Sequence, residues 1–128
     1  MATFSKQFLS ASVNGRGIPL GLITGSNPLV TGSILHATPA GTASTDEIFL
    51  YAVNNSVSDC ILITQFGGNP LTSGDAFFTQ IPAQNGRVLI TDGRILNNGL
   101  IVYGLVSGSS PLGASGVCVD GYANRITN

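Results

Sequence analysis

Five Asn-Gly or Asp-Gly pairs punctuate the chain, at Asn14-Gly15, Asn85-Gly86, Asp92-Gly93, Asn98-Gly99 and Asp120-Gly121. Such pairs tolerate the positive φ of a type I′ turn, whose twist matches the strands on either side. Between them stand short runs of branched and aromatic residues, the composition of strands. The pattern writes antiparallel sheet. The longest stretch without Gly or Pro, 42–66, is where a helix would have to lie, and Ser44-Thr45-Asp46-Glu47 has the outline of a capping box. Yet 48–53 is apolar at consecutive positions with no polar face at helical period, so it reads as a strand.

The spacing predicts strands over 47–53, 60–66, 77–81, 87–91, 100–106, 117–119 and 122–126, with weaker candidates at 4–10, 18–23 and 34–37. The first two are expected to form a hairpin through Asn54-Asn55-Ser56. Little or no helix is expected. About seven to nine strands spaced by turn signals predict an all-β domain over 1–128, as an antiparallel β-sandwich, jelly-roll-like, or as a small barrel. Residues 1–12 are either an extended N-terminal arm or a first edge strand. Segments 24–33, 67–74 and 107–116 read as loops displayed from the scaffold.

Charge is scarce. The 128 residues hold five Lys or Arg and six Asp or Glu, where an ordinary soluble domain carries charge at about a quarter of its positions. The basic residues are scattered, so neither a nucleic acid nor a membrane is expected as partner. No apolar run nears the roughly 20 residues of a membrane span. The first residues lack the basic and apolar regions of a signal peptide, and synthesis in a cytosol is expected. Strands such as 48–53, 60–63 and 100–103 are apolar on both faces, whereas one core covers one side of a sheet. Their outward residues call for cover from loops, from a second copy or from another protein.

Chemistry for catalysis is sparse. The one histidine, His36, lies in a candidate strand and reads as a hydrogen-bonded structural residue; a Ser-His-Asp relay would need a nucleophile and a carboxylate to converge on it. Cys60 and Cys118 lie in apolar runs that oppose a lowered thiol pKa, and buried free thiols are expected rather than a bridge. One His and two distant Cys supply no zinc pattern, and the carboxylates read as turn and edge residues. No phosphate-binding glycine motif occurs. No catalytic residue, metal site or cofactor is expected. The residues expected to matter are structural: Phe49, Tyr51, Ile61, Ile63, Val88, Leu100, Val102 and Val119 as core or interface. Pro82, Asn85, Gly86, Asn98 and Gly99 are expected to define turns.

Several segments carry a family resemblance: Asn14-Gly15-Arg16-Gly17-Ile18, the run from Asp46 to Asn54, Ile81-Pro82-Ala83-Gln84-Asn85-Gly86, Leu96-Asn97-Asn98-Gly99-Leu100, and Gly121-Tyr122-Ala123-Asn124-Arg125-Ile126. Together they resemble a family of small virion proteins of tailed bacteriophages, including phages of cyanobacteria and other aquatic bacteria. The resemblance implies a cement or decoration protein on the capsid surface, clamped over joints between subunits of the major capsid protein. Synthesis in the host cytoplasm is expected, and the outward apolar residues lead us to expect a homo-oligomer, dimer or trimer. The alternative is a tail- or head-associated module that recognises a host receptor or glycan through its loops.

Overall fold

Along Ser44–Asn54 every second side chain is buried. Asp46, Ile48, Leu50, Ala52 and Asn54 point one way, while Thr45, Glu47, Phe49, Tyr51 and Val53 point the other and are partly covered. Successive side chains of an extended strand alternate between faces, so a run apolar at every position arms both sides of its sheet. The remainder of the fold is arranged around that strand. The computed structural model describes residues 2–20, 22–23, 33–67, 75–107 and 116–128. The expected display loops at 24–33, 67–74 and 107–116 therefore lie almost wholly outside the described residues.

Ten strands and no helix form among the described residues: β1 (Thr3–Phe8), β2 (Ile18–Pro19), β3 (Leu22–Ile23), β4 (Ser33–Ala37), β5 (Ser44–Asn54), β6 (Cys60–Phe66), β7 (Ala76–Ile81), β8 (Asn85–Asn97), β9 (Ile101–Ser107) and β10 (Val117–Thr127). Sheet I has the order β1-β10-β5-β8, with β2 also on β10; sheet II has the order β3-β9-β6-β7, with β4 also on β9. All pairings are antiparallel except the two-residue contact of β3 with β9. The candidate at 18–23 is split between the sheets, as β2 and β3, whereas those at 117–119 and 122–126 are one strand, β10. β1 and β2 both pair with β10, at 122–127 and 118–119, and residues 9–17 run out between them. The two sheets face each other over one core. Ile48, Leu50 and Ala52 of β5 and Val117, Val119 and Ala123 of β10 meet Leu62 and Phe66 of β6 and Val102 and Val106 of β9. Val88, Ile90 and Leu96 of β8 close one side.

The turn signals are placed differently from the sequence reading. Asn14-Gly15 (φ +53° and +85°) and Asn98-Gly99 (φ +60° and +74°) are left-handed pairs as expected of turns. The second joins β8 in sheet I to β9 in sheet II, so it turns the chain between sheets rather than closing a hairpin. Asn85 and Gly86 do not define a turn: they begin β8, and the positive φ falls on Gln84, after exposed Pro82 and half-buried Ala83. Asp92-Gly93 is a bulge, where the β5–β8 register shifts between Ile48 and Phe49 and Gly93 takes φ +81°. Asp120-Gly121 lies inside β10. Nor do β5 and β6 form a hairpin, since they belong to different sheets. Asn54 organises the crossing. Its amide donates to Ser58 O (2.9 Å) and to Ile81 O in sheet II (3.0 Å), and its oxygen accepts from Ser56 N (3.0 Å) and Ser56 Oγ (2.6 Å).

The two outer faces are unequal. On sheet II, Ile63, Tyr103 and Leu105 point away from the core, yet all are buried within the chain. Ile61, Ile34 and Phe78, on the same face, and Leu100 are exposed. On sheet I the outward Phe49, Tyr51, Val53 and Tyr122 are half-buried.

Gly121 follows from close approach. A Cβ there would stand 2.0 Å from Phe49 O on the paired strand. Gly121→Ala is expected to destabilise by roughly 3 kcal/mol or more, the range of severe backbone strain. Gly86, with no positive φ and nothing within 4 Å of a built Cβ, is expected to accept Ala within about 0.5 kcal/mol. Urea unfolding of the two variants tests the contrast, and equal losses would contradict it.

Candidate functional site

Two assemblies bring chemically versatile side chains together, one between the sheets and one on the outside of sheet I. The inner one begins at a bulge in β4, where the register against β9 shifts between Ile34 and His36 and both Leu35 and His36 become buried. The Ser10 backbone N–H donates to His36 Nδ1 at 3.0 Å. That nitrogen therefore carries the lone pair, and Nε2–H donates to Asp46 Oδ2 at 2.7 Å. Arg125, directly across from Asp46 in the β5–β10 ladder, closes a bidentate pair, Nε to Oδ1 at 2.8 Å and Nη2 to Oδ2 at 3.0 Å. Burial pushes the Asp46 pKa up. Hydrogen bonds from Arg125 and His36, with the guanidinium charge, outweigh it and hold the carboxyl below its ordinary range. The same bond to Asp46 drives the Arg125 pKa further up.

Ser10, His36 and Asp46 thus converge, which the sequence reading set as the requirement for a relay. Their bonding is that of a clasp. A serine nucleophile needs the imidazole lone pair to take its proton, and here a main-chain N–H occupies that lone pair. The Ser10 hydroxyl accepts from Ala37 N (3.1 Å) and lies within donating distance of both Ala37 O (3.3 Å) and His36 Nδ1 (3.1 Å), where it shares the lone pair with its own main-chain N–H. His36 comes from sheet II, Asp46 and Arg125 from sheet I, and Ser10 from the excursion between β1 and β2. The reading of the carboxylates as turn and edge residues fails at Asp46, which is fully buried. Cys60 faces the core and Cys118 the outside of sheet I, and both are free. Among the described residues no group of three or more His, Cys, Asp or Glu could hold a metal ion.

The outer assembly is read from the ladder, because residues directly opposite share a face. One row runs Phe8–Tyr122–Phe49–Asp92, the next Lys6–Asn124–Glu47–Ile95, and a third Asp120–Tyr51–Leu89. Phe49 and Tyr122 stack at 4.8 Å between centroids, and Lys6 Nζ lies 4.5 Å from the Tyr122 ring centre. Arg87 lies 3.8 Å over the Tyr51 ring and pairs with Asp120 through Nε (3.2 Å) and Nη2 (3.1 Å). Around these ordered rings stand apolar side chains open to solvent: Phe4 (72% exposed), Phe8 (64%), Ile95 (63%) and Leu89 (50%). Lys6, Phe8, Arg87, Asp120 and Tyr122 also line a shallow groove of about 630 Å³.

Of the residues expected at a core or interface, Val102 and Val119 are core, Val88 packs against it, and Ile63 is buried on the far side of sheet II. Phe49 and Tyr51 form the middle of the outer face of sheet I. Phe8, Lys6, Arg87, Asp120 and Tyr122 were missed. Only the ladder register joins them, and no local pattern marks it. No protein-family model, curated protein or solved structure matches this chain.

Because the folded pKa of Asp46 is depressed, its contribution is complete above the unfolded value near 3.9 and is lost as pH falls through the folded one. Wild-type stability is expected to fall below about pH 4. Asp46→Asn should lose about 3 kcal/mol at pH 7, as for breaking one partner out of a buried pair, and should show a flatter acid limb. Urea melts from pH 7 to pH 2 measure both.

Proposed function

We propose that this chain is a non-enzymatic structural protein of a virus particle, a cement or decoration protein. The outer face of sheet I docks on a shell built from the major capsid protein of the same phage, and the protein acts as a homo-oligomer. The observation that carries this reading is that outer face. It combines Tyr, Phe and Arg in ordered contacts with exposed Phe4, Phe8, Leu89 and Ile95. Aromatic residues and Arg at the centre of a patch, with charges paired around them, are the composition of protein interfaces rather than of solvated sheet.

The strand path supports a jelly roll. With β1 and β2 taken as one position and β3 and β4 as another, each sheet has four positions, and β6–β7 is the one consecutive pair that stays in its sheet. Jelly rolls serve as viral shell proteins and as lectins, so the path alone does not choose a function. The groove beside Phe8 and Tyr122 favours a second reading, a head- or tail-associated module that recognises a host glycan. An exposed ring with Lys6 and an Arg87–Asp120 pair beside it suits a sugar.

Binding to purified capsids that lack the protein separates the two. The wild type should add at fixed stoichiometry and raise the temperature at which particles open. Leu89→Asp and Ile95→Asp, on exposed positions, should keep the melting temperature of the isolated protein but bind the shell at least about tenfold more weakly, or 1.4 kcal/mol. No lattice binding, together with saturable binding on a glycan array, would replace the first reading by the second.

A further inference from the structure

Sheet I ends at β1, and the far edge of that strand is where the fold stops without a neighbour. On one side β1 pairs with β10 in an unbroken register from Thr3↔Thr127 to Phe8↔Tyr122. On the other side no strand lies among the described residues. Alternate N–H and C=O groups of β1 therefore face outward along a straight edge. We propose that this edge pairs with β1 of a second copy, antiparallel about a two-fold axis, fusing the two sheets I into one continuous sheet.

The other edges carry devices that discourage such pairing. β8 shifts register three times against β5 and bears Arg87, Asp92 and Arg94. β4 is bulged at its centre. β7 is regular, but Arg94 from sheet I already lies over its Phe77 ring, 4.9 Å from the centroid, and Pro82 follows it directly. β1 has no bulge, no proline and one charge. Thr3, Phe4, Ser5, Lys6 and Phe8 are exposed, although alternate members point to opposite faces. Of the six side chains of the strand only Gln7 is partly covered.

An edge of main-chain donors and acceptors selects an extended strand as its occupant, and the side chains of β1 suit a copy of itself. In a two-fold pairing centred on Ser5, Phe4 stands opposite the second copy's Lys6, and Thr3 opposite its Gln7. Lys6 already uses an aromatic ring in this way, at Tyr122. Centring one residue later would set two ammonium groups opposite each other, which is unfavourable. Centring on Ser5 avoids that repulsion and keeps Phe4 of both copies near the axis. The inference concerns the isolated protein and stands apart from shell binding.

Hydrogen exchange on the wild type reads it without mutation. In a lone protomer only alternate β1 amides bond to β10, so protection from Phe4 to Phe8 should alternate; in the proposed dimer it should be continuous. Sedimentation should give a dimer at micromolar concentration. Ser5→Cys should cross-link under mild oxidation. Phe4→Lys, which sets like charges opposite each other at Lys6, should weaken dimerisation at least about tenfold, or 1.4 kcal/mol, while Phe78→Lys on β7 leaves it unchanged. A protomer that stays monomeric, alternating protection in a dimer, or dissociation by Phe78→Lys and not Phe4→Lys would each overturn the proposal. If Phe4→Lys does not fold, the exchange pattern of the wild type decides.

Discussion

The pairing of β5 with β10 runs through eleven residues without a break, from Ser44↔Thr127 to Asn54↔Val117, and both assemblies described above hang from it. Directly opposite residues share a face, so one register sets Asp46 against Arg125 on the inside and Phe49 against Tyr122 on the outside. A slip by one residue would turn one strand over relative to the other, setting Asp46 and Arg125, and Phe49 and Tyr122, on opposite faces. Gly121 is the condition for closeness at the middle of the ladder, where Phe49 O leaves no space for a Cβ. The strand that makes the core is also the strand that makes the outer face. This follows from a run apolar at consecutive positions: Ile48, Leu50 and Ala52 are spent on the interior, and Phe49, Tyr51 and Val53 remain for the other side.

The scarcity of charge takes on a sharper meaning once the charges are placed. Asp46 and Arg125 are used across the interior, and Arg94 reaches between the sheets to the rings of Phe66 and Phe77. Much of what remains lies on the outer face of sheet I, where Lys6 and Arg87 sit over aromatic rings and Asp120 is paired. These charges organise the rings more than they solvate the surface. Exposed ion pairs contribute little stability, commonly under about 1 kcal/mol, so their value is in holding side chains still.

Local signals in the sequence were good at identifying strands and poor at pairing them. The run 48–53 declares a strand because six apolar residues leave no helical stripe, and β5 is found there. The Asn-Gly and Asp-Gly pairs report tolerance of unusual backbone, and that tolerance serves a turn at Asn98-Gly99, a bulge at Asp92-Gly93 and a close approach at Gly121 alike. Which of these a pair becomes depends on the neighbouring strand. The expected β5–β6 hairpin failed for the same reason, since a short link can close a hairpin or cross to the facing sheet. Asn54 decides the matter through a bond to Ile81, 27 residues away. The clasp was beyond reach because its bonds span separations of 26, 10 and 79 residues. A histidine in a strand did suggest a satisfied structural role, but nothing local named Ser10, Asp46 or Arg125 as its company.

The two outer faces complete the argument. In both sheets the central strands are apolar on each side, so both sheets need a second cover beyond the core. On sheet II it is partial: Ile63, Tyr103 and Leu105 are buried, while Phe78, Ile34 and Ile61 on the same face stay exposed. Sheet I leaves Phe4, Phe8, Leu89 and Ile95 open around rings that are already fixed, Tyr122 by Phe49 and Lys6, Tyr51 by Arg87. Fixing side chains before contact lowers the entropy lost on association, which can reach about 0.5–1.5 kcal/mol for each side chain immobilised at an interface. Both sheets keep apolar side chains open on their outer faces; what distinguishes sheet I is that its central rings are already held, Tyr122 by Phe49 and Lys6 and Tyr51 by Arg87, which is the order that the proposed docking of this face would use.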